Sequence, residues 1–127
     1  MNENEIGAMA VDVAVKLHKE LGPGLLESVY ETLFARLLEK RGLFVERQVG
    51  IPIHFMGEFF EEGFRADLII EKKVILELKS VETLKPVHKK QLLTYLKLTG
   101  LKLGYIINFG DALMKNGIVR IINGQIQ

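Results

Sequence analysis

Asp67-Leu68-Ile69-Ile70-Glu71-Lys72-Lys73-Val74-Ile75-Leu76-Glu77-Leu78-Lys79 is the stretch on which the fold turns. Two apolar runs, Leu68 to Ile70 and Val74 to Leu76, flank a polar triplet, the pattern of two antiparallel strands joined by a short loop. If the hairpin is centred on Lys72, residues placed symmetrically about it face one another, so Asp67 lies opposite Glu77. Cross-strand partners have Cβ atoms about 4.5–5.5 Å apart, and like charges at that spacing repel. Side chains alternate along a strand, so Glu77 and Lys79 leave one face, with Asp67 joining them, while Leu76 and Leu78 point to the other. Burying unpaired charge costs on the order of several kcal/mol, so this end of an apolar sheet needs ion pairing, a cation or solvent.

Upstream, Ile6, Met9, Ala10, Val13 and Leu17 follow helical spacing up to Gly22-Pro23-Gly24 and predict a helix over 3–20. Leu26, Val29, Tyr30, Leu33 and Leu37 predict a second over 25–41. Phe44 to Met56 is rich in Val, Ile and Phe but contains Pro52, which suits an edge or bulged strand. Phe59 begins a further strand that continues past Gly63 through Phe64 to Ile70. Downstream, Pro86 opens a third helix reaching Gly100, and Leu103–Phe109 and Ile118–Ile122 are two more strands. Two helices, three strands, a helix and one or two strands imply an α/β sandwich around a mixed sheet.

A chain of 127 residues has room for one domain. With 48% apolar and 26% charged residues it is neither disordered nor a charged tail. The absence of cysteine excludes disulfides, thiolate nucleophiles and sulfur-ligated metals, and leaves oxygen and imidazole as metal ligands. The first residues are acidic and no apolar run approaches the roughly 20 residues that span a bilayer, so neither secretion nor membrane insertion is expected and the cytoplasm is the simplest location. The net charge of +1 hides an asymmetry: residues 1–62 carry 6 Lys/Arg against 11 Asp/Glu, and residues 63–127 carry 11 against 5. Such a split can mark a face for an anionic partner, or merely solvated helix surfaces.

Two carboxylates this close make a hard-oxygen seat for Mg²⁺ or Mn²⁺, with waters and a substrate phosphate completing the shell. A neighbouring ammonium can orient a water or neutralise charge developing on a phosphodiester. Asp67, Glu77 and Lys79 fit that chemistry, and they equally fit an internal salt-bridge cluster in which Lys79 pairs with one of the two acids. Glycine-rich phosphate loops, serine or cysteine triads and zinc-ligand spacings are all missing from the sequence.

Asp67, a nine-residue gap, and Glu77-Leu78-Lys79 resemble the PD-(D/E)XK nuclease signature, although Ala66 stands where that signature has proline. Gln91-Leu92-Leu93-Thr94-Tyr95 resembles the Q-x-x-x-Y element of the RecB-like branch. Gly24-Leu25-Leu26-Glu27-Ser28-Val29-Tyr30 matches the motif that names the GxxExxY proteins. The resemblance implies a restriction-endonuclease-like αβββαβ core and a Mg²⁺- or Mn²⁺-dependent attack on nucleic acid, DNA foremost. In it, Asp67 and Glu77 hold metal, Glu27 adds a third acid, and Lys79 assists the nucleophile. Gln91 orients the metal-bound water or a carboxylate, and Tyr95 touches the substrate backbone.

The residues alone leave alternatives open. Glu27 flanks the apolar stripe of its helix and also suits a first-turn acid favoured by the helix dipole. Gln91 and Tyr95 share a face with His88, which also describes a buried stripe containing a tyrosine. Glu31 is expected in solvent, and His18 is either a capping residue or a neighbour of Glu27. Lys85, Lys89 and Lys90, together with Lys72, Lys73, Lys97 and Lys102, could meet phosphates without reading bases. A non-catalytic nucleic-acid or protein binding module that keeps this fold competes with the enzyme, and assembly as a homo-oligomer stays open.

Overall fold

A computed structural model of the chain describes residues 1–61 and 64–126. Helix α1 (Glu3–Leu21) opens with a capping box: the Asn2 side chain accepts the Glu5 N–H at 2.8 Å, and the Glu5 carboxylate accepts the Asn2 N–H at 3.0 Å. It ends at Gly22, whose φ of 69° lies in the left-handed region that glycine enters without penalty. Helix α2 (Glu27–Lys40) follows. The strands are β1 (Val45–Gly50), β2 (Ile53–Phe55), β3 (Glu58–Phe60), β4 (Arg65–Ile70) and β5 (Val74–Lys79), then β6 (Leu103–Asn108) and β7 (Ile118–Ile122). Helix α3 (Pro86–Thr99) separates β5 from β6, and α4 (Met114–Gly117) precedes β7.

The main sheet has the order β1-β4-β5-β6-β7. Every neighbouring pair in it is antiparallel except β5 and β6; a parallel pair needs a long crossover, which α3 supplies. Helices α1 and α2 cover one face, burying Ile6, Val13, Phe34 and Leu38 in one cluster with Leu68, Ile70, Leu76 and Leu78. On the opposite face Leu92, Tyr95 and Leu96 of α3 cluster with Ile69, Ile75 and Ile106. Each large apolar side chain buried this way contributes about 1.5–3 kcal/mol. Covered on both faces, β5 is buried along its whole length until Lys79, which explains its nearly unbroken apolar sequence.

The hairpin register is the one its sequence implies: Leu68, Ile69 and Ile70 pair with Leu76, Ile75 and Val74. Its turn places Glu71 and Lys72 at φ 52° and 55°, the two positive angles that match the twist of a tight hairpin. Two expectations are corrected. Phe44 to Met56 does not form one strand, because the ladder stops at Gly50 and the chain leaves the sheet at Ile51-Pro52. Ile51 makes a last bond, its N–H to the Phe64 carbonyl at 2.8 Å, and Pro52 has no N–H to continue the ladder. Phe59 does not feed β4 either, since β3 pairs with β2 as a separate two-stranded ribbon with Ile53 opposite Phe60. Gly63, placed in that strand by its sequence, lies outside the described residues. The short helix α4 has no counterpart in the hydrophobic pattern. Among the described residues no helix is long and apolar enough to cross a membrane.

Candidate functional site

Where β4 and β5 approach their outer ends, a pocket of about 670 Å³ is lined by Asp67, Glu77, Lys79, Gln91 and Tyr95, with Gly50, Glu61, Phe64 and Arg65 at its rim. Strand alternation sends Glu77 and Lys79 to the α3 side of the sheet while Leu76 and Leu78 enter the core under α1 and α2. Gln91 and Tyr95, one turn apart on α3, descend onto the same pocket. The structure therefore brings together five of the residues singled out by sequence.

Glu77 is 5% exposed, and its Oε1 has no hydrogen-bond partner. Burial, then the charge of Asp67 and a hydrogen bond with it, push the Glu77 carboxyl up to about 9. At neutral pH the Glu77 carboxyl therefore keeps its proton. The charge of Lys79 opposes this shift but ranks below burial and Asp67. The ion pairs among the described residues join Asp12 to Lys16 and Arg41, and Glu31 to Arg47, so Lys79 takes part in none of them. Burial and the charges of Glu77 and Asp67 push the Tyr95 hydroxyl up to about 12, so it stays protonated.

Asp67 is held at both oxygens: Oδ2 accepts the Leu78 backbone N–H at 2.8 Å, and Oδ1 accepts the Gln48 amide at 3.3 Å. Gln48 also donates to Glu31 Oε1 at 2.5 Å, and Glu31 Oε2 accepts Arg47 Nε and Nη2 at 3.1 and 3.0 Å. Glu31 is thus 6% exposed and paired, not solvated as expected. One sequence signal could have exposed it: Glu31 lies four residues after Glu27, on the same helix face. Nothing in the sequence marks Gln48, whose role depends on a backbone φ of 50° inside β1.

Glu27 lies outside this pocket. It lines an adjoining one with Gly24, Leu25, Leu26, Ser28 and Ser80, and its Oε2 accepts the Ser80 N–H at 3.3 Å. Ser80 directly follows Lys79, so the two pockets meet at the end of β5. The loop that presents Glu27 is fastened by Tyr30, whose hydroxyl donates to the Gly22 carbonyl at 2.5 Å and accepts the Leu25 N–H at 3.2 Å. Its ring stacks on Phe109 with centroids 4.0 Å apart. Among the described residues no three His, Cys, Asp or Glu side chains gather closely enough to hold a metal.

Lys85 precedes α3, and its N–H donates to His88 Nδ1 at 3.1 Å. Burial and the nearby charges of Lys79 and Lys85 lower the His88 pKa, against Glu27. Lys89 and Lys90 are exposed on the first turns of α3 and do not line the carboxylate pocket. His18 does not approach Glu27; its Nε2 bonds the Asp111 carbonyl at 2.8 Å, and it is buried near Phe109.

A five-stranded mixed sheet between helical layers, with carboxylates and a lysine at one sheet end, defines a restriction-endonuclease-like α/β protein. The profile of the PD-(D/E)XK nuclease superfamily matches residues 4–121, and the chain belongs to that superfamily. No curated protein matches it. Among solved structures it is similar in fold to that titled "Crystal structure of SSO0001", with a TM-score of 0.51 and 23% identity over 79% of this chain. The match covers 50% of that protein, so this chain spans about half its length.

Proposed function

We propose that this chain is a Mg²⁺- or Mn²⁺-dependent nuclease that hydrolyses phosphodiester bonds, with DNA as the foremost substrate. The observation that carries the reading is the buried, unpartnered Oε1 of Glu77, in a pocket lined also by Asp67 and Lys79. The donor set suits a hard cation: two carboxylates, no sulfur, and room for waters and a phosphate. A divalent cation bound there would polarise the phosphate and acidify a water. Asp67 and Glu77 would hold it, with Glu27 of the adjoining pocket acting on it through an intervening water. Lys79 places an ammonium where charge develops on the phosphate, Gln91 orients the attacking water, and the protonated Tyr95 hydroxyl donates to the substrate backbone. Lys85, Lys89 and Lys90 extend the phosphate-binding surface along α3.

Superfamily membership supports a nucleic-acid substrate and the use of divalent metals. The finer assignments, to the GxxExxY proteins and the RecB-like branch, are supported by the Gly24–Tyr30 and Gln91–Tyr95 motifs, as are a single domain over residues 1–127 and a cytoplasmic location by composition. Cleavage is tested by incubating single-stranded, double-stranded and branched DNA and RNA with Mn²⁺, Mg²⁺ or chelator. Metal-dependent cleavage that Glu77→Gln abolishes is expected, and a parent protein inert toward every form in both metals overturns the reading. The separation of Glu27 from the two facing carboxylates favours one alternative, a module that binds without cutting.

A further inference from the structure

Gln48 combines three properties that do not ordinarily occur together. It sits inside a strand at φ 50°, a left-handed angle that glycine or asparagine adopts at lower cost. It is solvent-exposed, so packing does not require its length. Its amide nevertheless donates to two carboxylates on different elements, Glu31 on α2 and Asp67 on β4. A side-chain amide has two N–H donors, and both are used here.

The ladder shows the same break. Arg47 pairs with Leu68 and Val49 with Ala66, in one register, but Gln48 and Asp67 between them are not paired through their backbones. The left-handed angle at Gln48 interrupts the ladder, and the contact between the two residues is made by their side chains instead. Arg47, the preceding residue, neutralises the buried Glu31 from the same strand. Glu31 is thereby a fixed, charge-balanced anchor for one Gln48 hydrogen, and the other reaches Asp67 Oδ1. With the Leu78 N–H on Oδ2, both Asp67 oxygens are oriented, and the carboxylate cannot rotate without losing a bond.

We propose that Gln48 is a positioning residue that fixes the Asp67 carboxylate beside Glu77 for a divalent cation, with Glu31 and Arg47 as its anchor. This rests on the reading of the pocket as a metal site. Outer partners that orient a ligating carboxylate typically contribute about 10–100-fold in metal affinity. The strain at Gln48 is then the cost of reaching both acids from one backbone position.

Two substitutions separate positioning from plain structure. Gln48→Met keeps the length and removes both donors; Gln48→Asn suits the left-handed angle but is one methylene too short to bridge the acids. Mn²⁺ binding is measured from the loss of the free-ion paramagnetic resonance signal, and thermal melting is followed in chelator. The expected result is a dissociation constant about 10–100-fold weaker for both variants, with Gln48→Asn melting in chelator at or above the parent temperature. Parent-like Mn²⁺ affinity in both variants overturns the inference while leaving the metal site standing. A parent that binds no Mn²⁺ overturns the site itself, and the inference with it.

Discussion

At the residue scale, Glu77 governs how stability responds to pH and metal. Its carboxyl is raised to about 9 in the fold, whereas an unfolded glutamate titrates near 4.3. Between those values the folded state holds a proton that the unfolded state has released. The stabilisation is therefore complete below the unfolded pKa and is lost as pH rises through the folded one. Metal-free protein should lose stability from about pH 5 to pH 9, with a slope from this group of at most about 1.4 kcal/mol per pH unit. Urea denaturation in chelator across that range measures it. Glu77→Gln resembles the protonated acid, so it should flatten the slope and leave metal-free stability at pH 7 unchanged or raised. Saturating Mn²⁺ at 100 times its dissociation constant should add about 2.7 kcal/mol to the parent and nothing to the variant, and parent affinity should rise with pH as the Glu77 proton becomes easier to displace. A large loss in the variant under chelator, with no metal response in the parent, would show that Glu77 serves mainly to neutralise Lys79. The facing of Asp67 and Glu77 was legible because hairpin symmetry and strand alternation follow from sequence alone. The clamp from Gln48 was not, because it depends on one backbone angle in β1.

At the element scale, the start of α2 shows what the Gly24–Tyr30 spacing accomplishes. Gly24 has φ 105°, an angle that side chains adopt only under strain, and no atoms crowd the position where a Cβ would stand. A substitution there is thus a test of backbone conformation alone, and Gly24→Ala should cost about 1–3 kcal/mol. Tyr30 ties the same loop at Gly22 and Leu25 while stacking on Phe109. Tyr30→Phe keeps the stack and removes both bonds, for an expected loss of about 1–2 kcal/mol in denaturant melts. Losses within error at both positions would mean that the loop holds its shape without them. Helices α1, α2 and α3 were legible from their apolar spacing, and their ends shifted by only one or two residues. The segment from Ile51 to Phe60 was not, because its aromatic residues imitate a sheet strand. Phe55, Met56 and Phe59 are in fact exposed on the small ribbon, where pairing between two short strands, not burial, sets the structure.

At the scale of the whole molecule, a net charge of +1 gives little long-range attraction for a polyanion. Nucleic-acid binding must then depend on where the lysines stand. Lys85, Lys89 and Lys90 lie at the start of α3, next to the end of β5 that carries Lys79. Lys72 and Lys73 occupy the turn before β5, and Lys102 precedes Leu103, which pairs with Val74, so these three mark the opposite end of the sheet. The six residues of β5 separate the two groups by about 17–20 Å, beyond the screening length of about 8 Å at physiological salt. Replacing either trio with alanine changes the net charge equally, from +1 to −2. Loss of the first trio should weaken DNA binding and flatten its logarithmic salt dependence by about 0.9 for each lysine that meets a phosphate on duplex DNA. Loss of the second should leave both nearly unchanged. Fluorescence anisotropy with Glu77→Gln as the background in Mg²⁺-free buffer measures binding without cleavage. Equal weakening by both trios would mean that overall charge, not a surface along α3, draws the nucleic acid, and it would remove Lys85, Lys89 and Lys90 from the proposed substrate path.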